Sequence, residues 1–123
     1  MDIYENIYNN LIDKSSLYHD VILSFDDGGK IYSSKYFLSF ISPVLEKLFK
    51  YDKKEDNIYH LPYKKIKTVQ TVLALSFPFV DINKLLNEIK IYPDIMKLID
   101  EWCMTDLWEN IENFFLKEYK RYN

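Results

Sequence analysis

The chain has 123 residues, 48% of them hydrophobic and 17% aromatic, with a formal net charge of −3. That is one domain's length, apolar enough to fill a core without disulfides or a metal, and it excludes a disordered tail. An acidic balance with Arg121 as the only arginine argues against a general nucleic-acid binder, which needs positive charge and favours the guanidinium fork.

Eleven tyrosines exceed what one small core uses, so some are expected at the surface or in an interface, where the ring is covered and the hydroxyl stays wet. Cys103 is the only cysteine, which excludes an intrachain disulfide and fits a reducing compartment. No apolar run approaches the roughly 20 residues of a membrane span. The start, Met1-Asp2-Ile3-Tyr4-Glu5, is acidic and unlike a signal peptide. The expected location is cytoplasm or nucleus, with neither membrane nor nucleic acid as partner. The richness in Lys, Asn, Ile and Tyr points to an AT-rich genome.

In chain order, Ile3, Ile7 and Leu11, with Tyr4, Tyr8 and Ile12 beside them, form the apolar face of a short amphipathic helix over residues 3–13. Val21 to Phe25 reads as a buried strand. Asp26-Asp27-Gly28-Gly29 is a hairpin turn, and Lys30 to Ser33 the returning strand. A helix from Lys35 to Phe40 follows, with Phe37, Leu38 and Ile41 as its apolar side. Ser42-Pro43 restarts helix as cap and first residue, with Leu45, Leu48 and Phe49 inward. Residues 50–57 form a charged loop, and Ile58 to Leu61 a short strand stopped by Pro62.

From Lys64 the pattern is helical. Val69, Val72, Leu73 and Phe77 share a face that ends at Pro78. Residues 81–90 form a short helix with Leu85, Leu86 and Ile89 inward. Pro93 opens a helix with Ile95, Met96, Leu98, Ile99 and Trp102. Thr105 caps the last, which carries Leu107, Trp108, Ile111, Phe114 and Phe115. Strands early and helices late indicate an α+β domain, a sheet of three or fewer strands with a surrounding cluster of helices.

The ordered series Asp20-Val21-Ile22-Leu23, Lys35-Tyr36-Phe37-Leu38, Ser42-Pro43 and Leu48-Phe49 resembles the signature of BTB/POZ domains. In that family an Asp-Val strand leads through a hairpin to a His-Lys-x-x-Leu helix, then a Ser-Pro motif and a Met-Phe or Leu-Phe pair. Asn57 to Leu61, Val69 to Phe77 and Asp94 to Leu116 resemble its next strand, its middle helix and its closing helices. The resemblance covers about residues 18–117. It departs from the family at Ser34, in place of the common histidine, and at Phe77-Pro78-Phe79, in place of Tyr-Thr-Gly. Residues 79–92 read as longer and more helical than usual, without a strand the family often has there. These departures mark a divergent member, of the kind a large DNA virus or another AT-rich genome would carry.

The resemblance implies a protein-interaction module, not an enzyme, that homodimerises, with residues 1–17 as dimerisation helix and linker, 18–118 as the domain and 119–123 as a tail. Ile3, Ile7 and Leu11 then cross a two-fold axis; the alternative is that they pack on their own subunit. Asp20 and Lys35 match a charged pair at the family's dimer interface; the alternative is an Asp20 that bonds nearby backbone and a solvated Lys35. A cullin is a second implied partner. The matching stretch is Lys53-Lys54-Glu55, where Glu55 is retained, lysine replaces the apolar anchor, and Tyr51 is the substitute anchor. With no substrate domain in sight, the chain is expected to act as a stand-alone scaffold or to compete with larger BTB proteins. A cullin-type ubiquitin-ligase adaptor, monomeric or dimeric, is the second reading, and a small enzyme with an unrecognised site the third.

No catalytic, cofactor or metal residue is expected. His19 and His60 lack the sequence neighbours of a triad or metal site. Gly28-Gly29 joins two strands, unlike a phosphate loop. Cys103 reads as a buried structural thiol on a helix face, the Trp102, Trp108, Phe114, Phe115 series as core, and Lys117 to Arg121 as a solvated helix end.

Overall fold

The computed structural model describes residues 19–77, 81–88 and 93–122. Strands β1 (Val21–Phe25) and β2 (Lys30–Ser33) form the expected hairpin, with Val21 opposite Ser33 and Ser24 opposite Lys30. The Phe25 amide donates to the Gly29 carbonyl at 3.0 Å. Gly28 sits at φ +89°, backbone space in which a side chain is strained. Alternation puts Val21, Leu23 and Phe25 inward from β1, and Ile31 and Ser33 from β2.

Helices α1 (Lys35–Ile41) and α2 (Pro43–Tyr51) follow. Strand β3 (Ile58–Leu61) then returns on the other side of β1 and runs parallel to it, giving the order β2-β1-β3. A parallel neighbour needs a crossover, and the α1–α2 hairpin supplies it. Phe49 of α2 meets Tyr59 of β3 edge to face at 5.0 Å and closes that crossover onto the sheet.

The remaining elements are α3 (Ile66–Leu75), α4 (Ile82–Glu88), α5 (Pro93–Glu101) and α6 (Thr105–Tyr122). Helix α3 is the centre of the fold. Val69, Val72, Leu73 and Ala74 are wholly buried and Thr71 and Leu75 nearly so, so the second half of this helix is covered on every side while Lys67 in its first turn stays exposed. It packs on α5 and β2, and α6 packs on both α4 and α5. Leu107, Ile111 and Phe114 form the inward stripe of α6. Among the described residues, 79–92 hold helix and no strand.

Two expected burials fail. Phe115 was expected in the core but is half exposed, because it lies about 100° around the helix from the buried Phe114. Cys103 was expected as a buried thiol within a helix, and it is exposed. Helix α5 ends at Glu101, and Cys103 takes φ +53°. The Met104 amide donates to the Ile99 carbonyl and the Cys103 amide to the Asp100 carbonyl, both at 3.0 Å. That pair of bonds is the Schellman ending, with cysteine at the position glycine usually fills. The reversal buries Trp102 and Met104 and turns the thiol outward.

Candidate functional site

Helix α1 carries more apolar residues than one face can hold. Leu38 is fully buried, and Phe37 stacks on Phe77 with ring centroids 4.8 Å apart. Tyr36 and Phe40, one turn apart on the opposite side, are 83% and 81% exposed. Val44, at the start of α2, adds a partly exposed apolar side chain. Together these exposed side chains form an apolar patch on a helix whose other side is core.

The corner that aims this face is rigid. The Ser34 hydroxyl caps α1 by accepting from the Phe37 amide at 3.3 Å. Ser42 ends α1 and begins α2: its amide donates to the Leu38 carbonyl, and its carbonyl accepts from the Glu46 amide. Its buried hydroxyl accepts from the Leu45 amide at 3.1 Å and donates to the Trp102 carbonyl at 2.7 Å. One serine therefore ties both helices to the end of α5.

Beside Phe40 lies a groove of about 550 Å³, walled by Pro43, Leu75, Ile82, Met104 and Leu107 among others, with Cys103 on its surface. Among the described residues lining it, Asp106 is the only charged one.

Asp20, just before β1, and Lys35, the first residue of α1, are joined through backbone rather than as a side-chain ion pair. The Asp20 carboxylate accepts from the Lys35 amide at 2.8 Å, while the Lys35 ammonium donates to Asn57 Oδ1 at 2.6 Å. Asn57 holds φ +56°. Lys35 thus bridges α1 to the chain entering β3. Ile3, Ile7 and Leu11 lie outside the described residues. Tyr51 closes α2 and is 76% exposed, with the Lys50 ammonium 5.4 Å from its ring centroid. Glu55 is exposed in the following loop, where Lys54 pairs with Asp52 at 3.3 Å.

Sequence reasoning missed Tyr36 and Phe40. The signal was present, since α1 with Phe37, Leu38 and Ile41 inward leaves exactly those two rings over. It also left His60 without neighbours, which the sheet supplies. Ser24 Oγ lies 3.0 Å from His60 Nδ1, and His60 Nε2 lies 2.7 Å from Asp26 Oδ1. Asp26 Oδ2 accepts from the Tyr63 amide at 3.0 Å. That amide bond, and then the bond to His60, hold the Asp26 carboxyl below its usual range. The chain staples the β1–β2 turn to the residues after β3, where Tyr63 takes φ +62°. Among the described residues no group of His, Cys, Asp and Glu is placed to hold a metal, and no helix is long and apolar enough to cross a membrane.

The fold is that of a solved structure, the BTB domain of zebrafish PATZ1, with a TM-score of 0.64 at 16% sequence identity. The alignment covers 94% of this chain and 89% of that one. No curated protein matches the sequence. The family model of the BTB/POZ domain matches residues 8–119. With that match over most of its length, the chain belongs to the BTB/POZ domain family, whose members are in general protein–protein interaction modules.

Proposed function

We propose that the chain is a homodimerising interaction module, and that the outer face of α1 is the centre of its dimer interface. The observation that carries this reading is the pair Tyr36 and Phe40, both more than four-fifths exposed on a helix whose reverse side is core. Each ring at that exposure offers roughly 160 Å² to a partner, so two copies bury on the order of 650 Å² with these rings alone. A standard stable interface buries about 1,600 Å². The remainder is assigned to Val44, to neighbours of the face, and to Ile3, Ile7 and Leu11, whose spacing gives a matching apolar stripe. Asp20 and Lys35 stand at the edge of this surface and orient its helix. By mixing its protomers with those of larger BTB proteins, such a module scaffolds them or competes with them.

Sedimentation velocity on the purified chain tests this reading. A dimer at micromolar concentration that dissociates in Tyr36→Ser/Phe40→Ser, with unchanged circular dichroism, is expected. A monomer at every concentration would falsify it.

The exposed Tyr51, four residues before Glu55, favours a second reading in which the loop after α2 meets a cullin. Titration with a purified cullin amino-terminal domain, wild type against Tyr51→Ala, tests it; identical or absent binding eliminates the idea.

A further inference from the structure

Helix α6 carries an apolar stripe that the fold leaves uncovered. Glu112, Phe115, Leu116 and Tyr119 fall at i, i+3, i+4 and i+7, within about 100° of one another around the helix axis. With Met96 and Ile111 they line a groove of about 430 Å³ that shares no residue with the groove beside Phe40. Phe115 is 48% exposed, Leu116 54% and Tyr119 67%, which makes the stripe an exposed apolar patch. Phe115 packs edge to face on the buried Phe114 at 5.4 Å, and the Trp108 indole N–H donates to the Glu112 carboxylate.

The order of these four residues is symmetric about the midpoint between Phe115 and Leu116. A second α6 laid antiparallel across a two-fold axis at that midpoint sets Phe115 against the partner's Leu116, and Tyr119 against the partner's Glu112. Each contact is made twice. Apolar groups meet at the centre. At either end a phenol that can donate meets a carboxylate with acceptor sites left beyond its bond to Trp108. A parallel pairing would instead set Glu112 beside Glu112. Charge along the helix selects the same orientation. Asp106, Glu109 and Glu112 lie in its first half, and Lys117, Lys120 and Arg121 against Glu118 in its last turns. Antiparallel copies therefore bring acidic end to basic end, and their helix dipoles agree.

The three apolar side chains at these exposures offer on the order of 300 Å² per copy, or roughly 600 Å² for a pair. That falls below the roughly 1,200 Å² of stable interfaces and in the class of weak, transient contacts.

We propose that α6 carries a second, weaker self-association surface, in which the stripes of two copies pair antiparallel and link the units formed through α1 into larger assemblies. The surface is separate from the α1 face and pairs with or without it.

Sedimentation equilibrium on the purified chain, from about 10 µM to about 1 mM, reads this association. The average mass is expected to climb past that of the α1 dimer. Tyr119→Glu sets like charges against the partner's Glu112 and should weaken the climb about tenfold. Adding Glu112→Lys restores an opposite pair at both symmetric contacts, so association should return to within about threefold of wild type. Within one chain the two positions stand two turns apart, about 10 Å along the axis, so this rescue is read only between chains. Leu116→Ser, which removes an apolar contact and changes no charge, should weaken association independently. All of these positions are exposed, and circular dichroism with the urea midpoint of each variant separates loss of association from loss of fold. In Tyr36→Ser/Phe40→Ser, where the α1 face is gone, a monomer–dimer equilibrium with the same charge-swap pattern is expected. A wild-type mass that stops at the α1 dimer overturns the proposal while leaving that dimer standing. So does a Tyr119→Glu chain that associates like wild type, or a charge swap that restores nothing. A two-protomer species lost in Tyr119→Glu but intact in Tyr36→Ser/Phe40→Ser supports the α6 surface and overturns the α1 reading instead.

Discussion

Ser42→Ala tests the corner that joins α1 and α2 and aims the exposed face of α1. The residue is fully buried, and its hydroxyl makes two bonds that alanine cannot. Losing the cap on the Leu45 amide costs about 1 kcal/mol. Losing the donor to the Trp102 carbonyl leaves a buried acceptor without its partner, a further cost of about 1–3 kcal/mol. The methyl of alanine fills most of the space of the serine side chain, so little cavity cost adds to this. The sum is about 2–4 kcal/mol, a large share of the roughly 5–15 kcal/mol that holds a domain together. For a chain of this length that is a fall of about 10 °C in Tm. Urea unfolding followed by tryptophan fluorescence, with Trp102 buried at the other end of the bond, gives the free energy directly. An unchanged m-value confirms that the native state is the one perturbed. A change within about 0.5 kcal/mol, the range of an ordinary surface substitution, refutes the argument.

Cys103→Gly should stabilise the fold by about 1 kcal/mol, because glycine relieves the left-handed strain at φ +53°; a lower urea midpoint contradicts this. Asp26, held below its ordinary value of 3.8 by the Tyr63 amide and His60, contributes stability that is fully present above that value and is lost as pH falls through the folded pKa. Asp26→Asn should therefore flatten the acid limb of stability against pH in that window, and an identical limb in the variant refutes the linkage. Gly29→Val should destabilise, since an added Cβ would stand 2.9 Å from Ile66 Cδ1 and 3.0 Å from Asp27 Oδ1; a wild-type melting curve would show that both neighbours yield freely.

What the sequence made legible is what local chemistry decides. The Asp-Gly turn, the Ser42-Pro43 helix start and the inward residues of β1 and α6 all depend on residues a few positions apart. What it hid depends on partners brought from far along the chain or on backbone with no side-chain signal. Ser24 and His60 become neighbours only because β3 lands parallel to β1. Lys35 finds Asn57 across the same crossover. Cys103 looked like one more helical residue because a left-handed ending usually announces itself with glycine. The α1 face lies between these cases, since placing Phe37, Leu38 and Ile41 inward leaves Tyr36 and Phe40 over although nothing in the sequence says what covers them.

The sheet order carries a consequence for how the chain comes together. Strands β1 and β2 meet through a tight turn and can pair as soon as residue 33 has been made. Strand β3 docks against β1 only after a loop of 36 residues closes, the separation between Ser24 and His60, at an entropic cost of about 3 kcal/mol. Until then one edge of β1 is open to any strand that reaches it first. The α1–α2 hairpin fills that interval, so a fast local helix pair shortens the search. Slowing α1–α2 formation, as Ser42→Ala would, lengthens the time during which a neighbouring chain could take the place of β3.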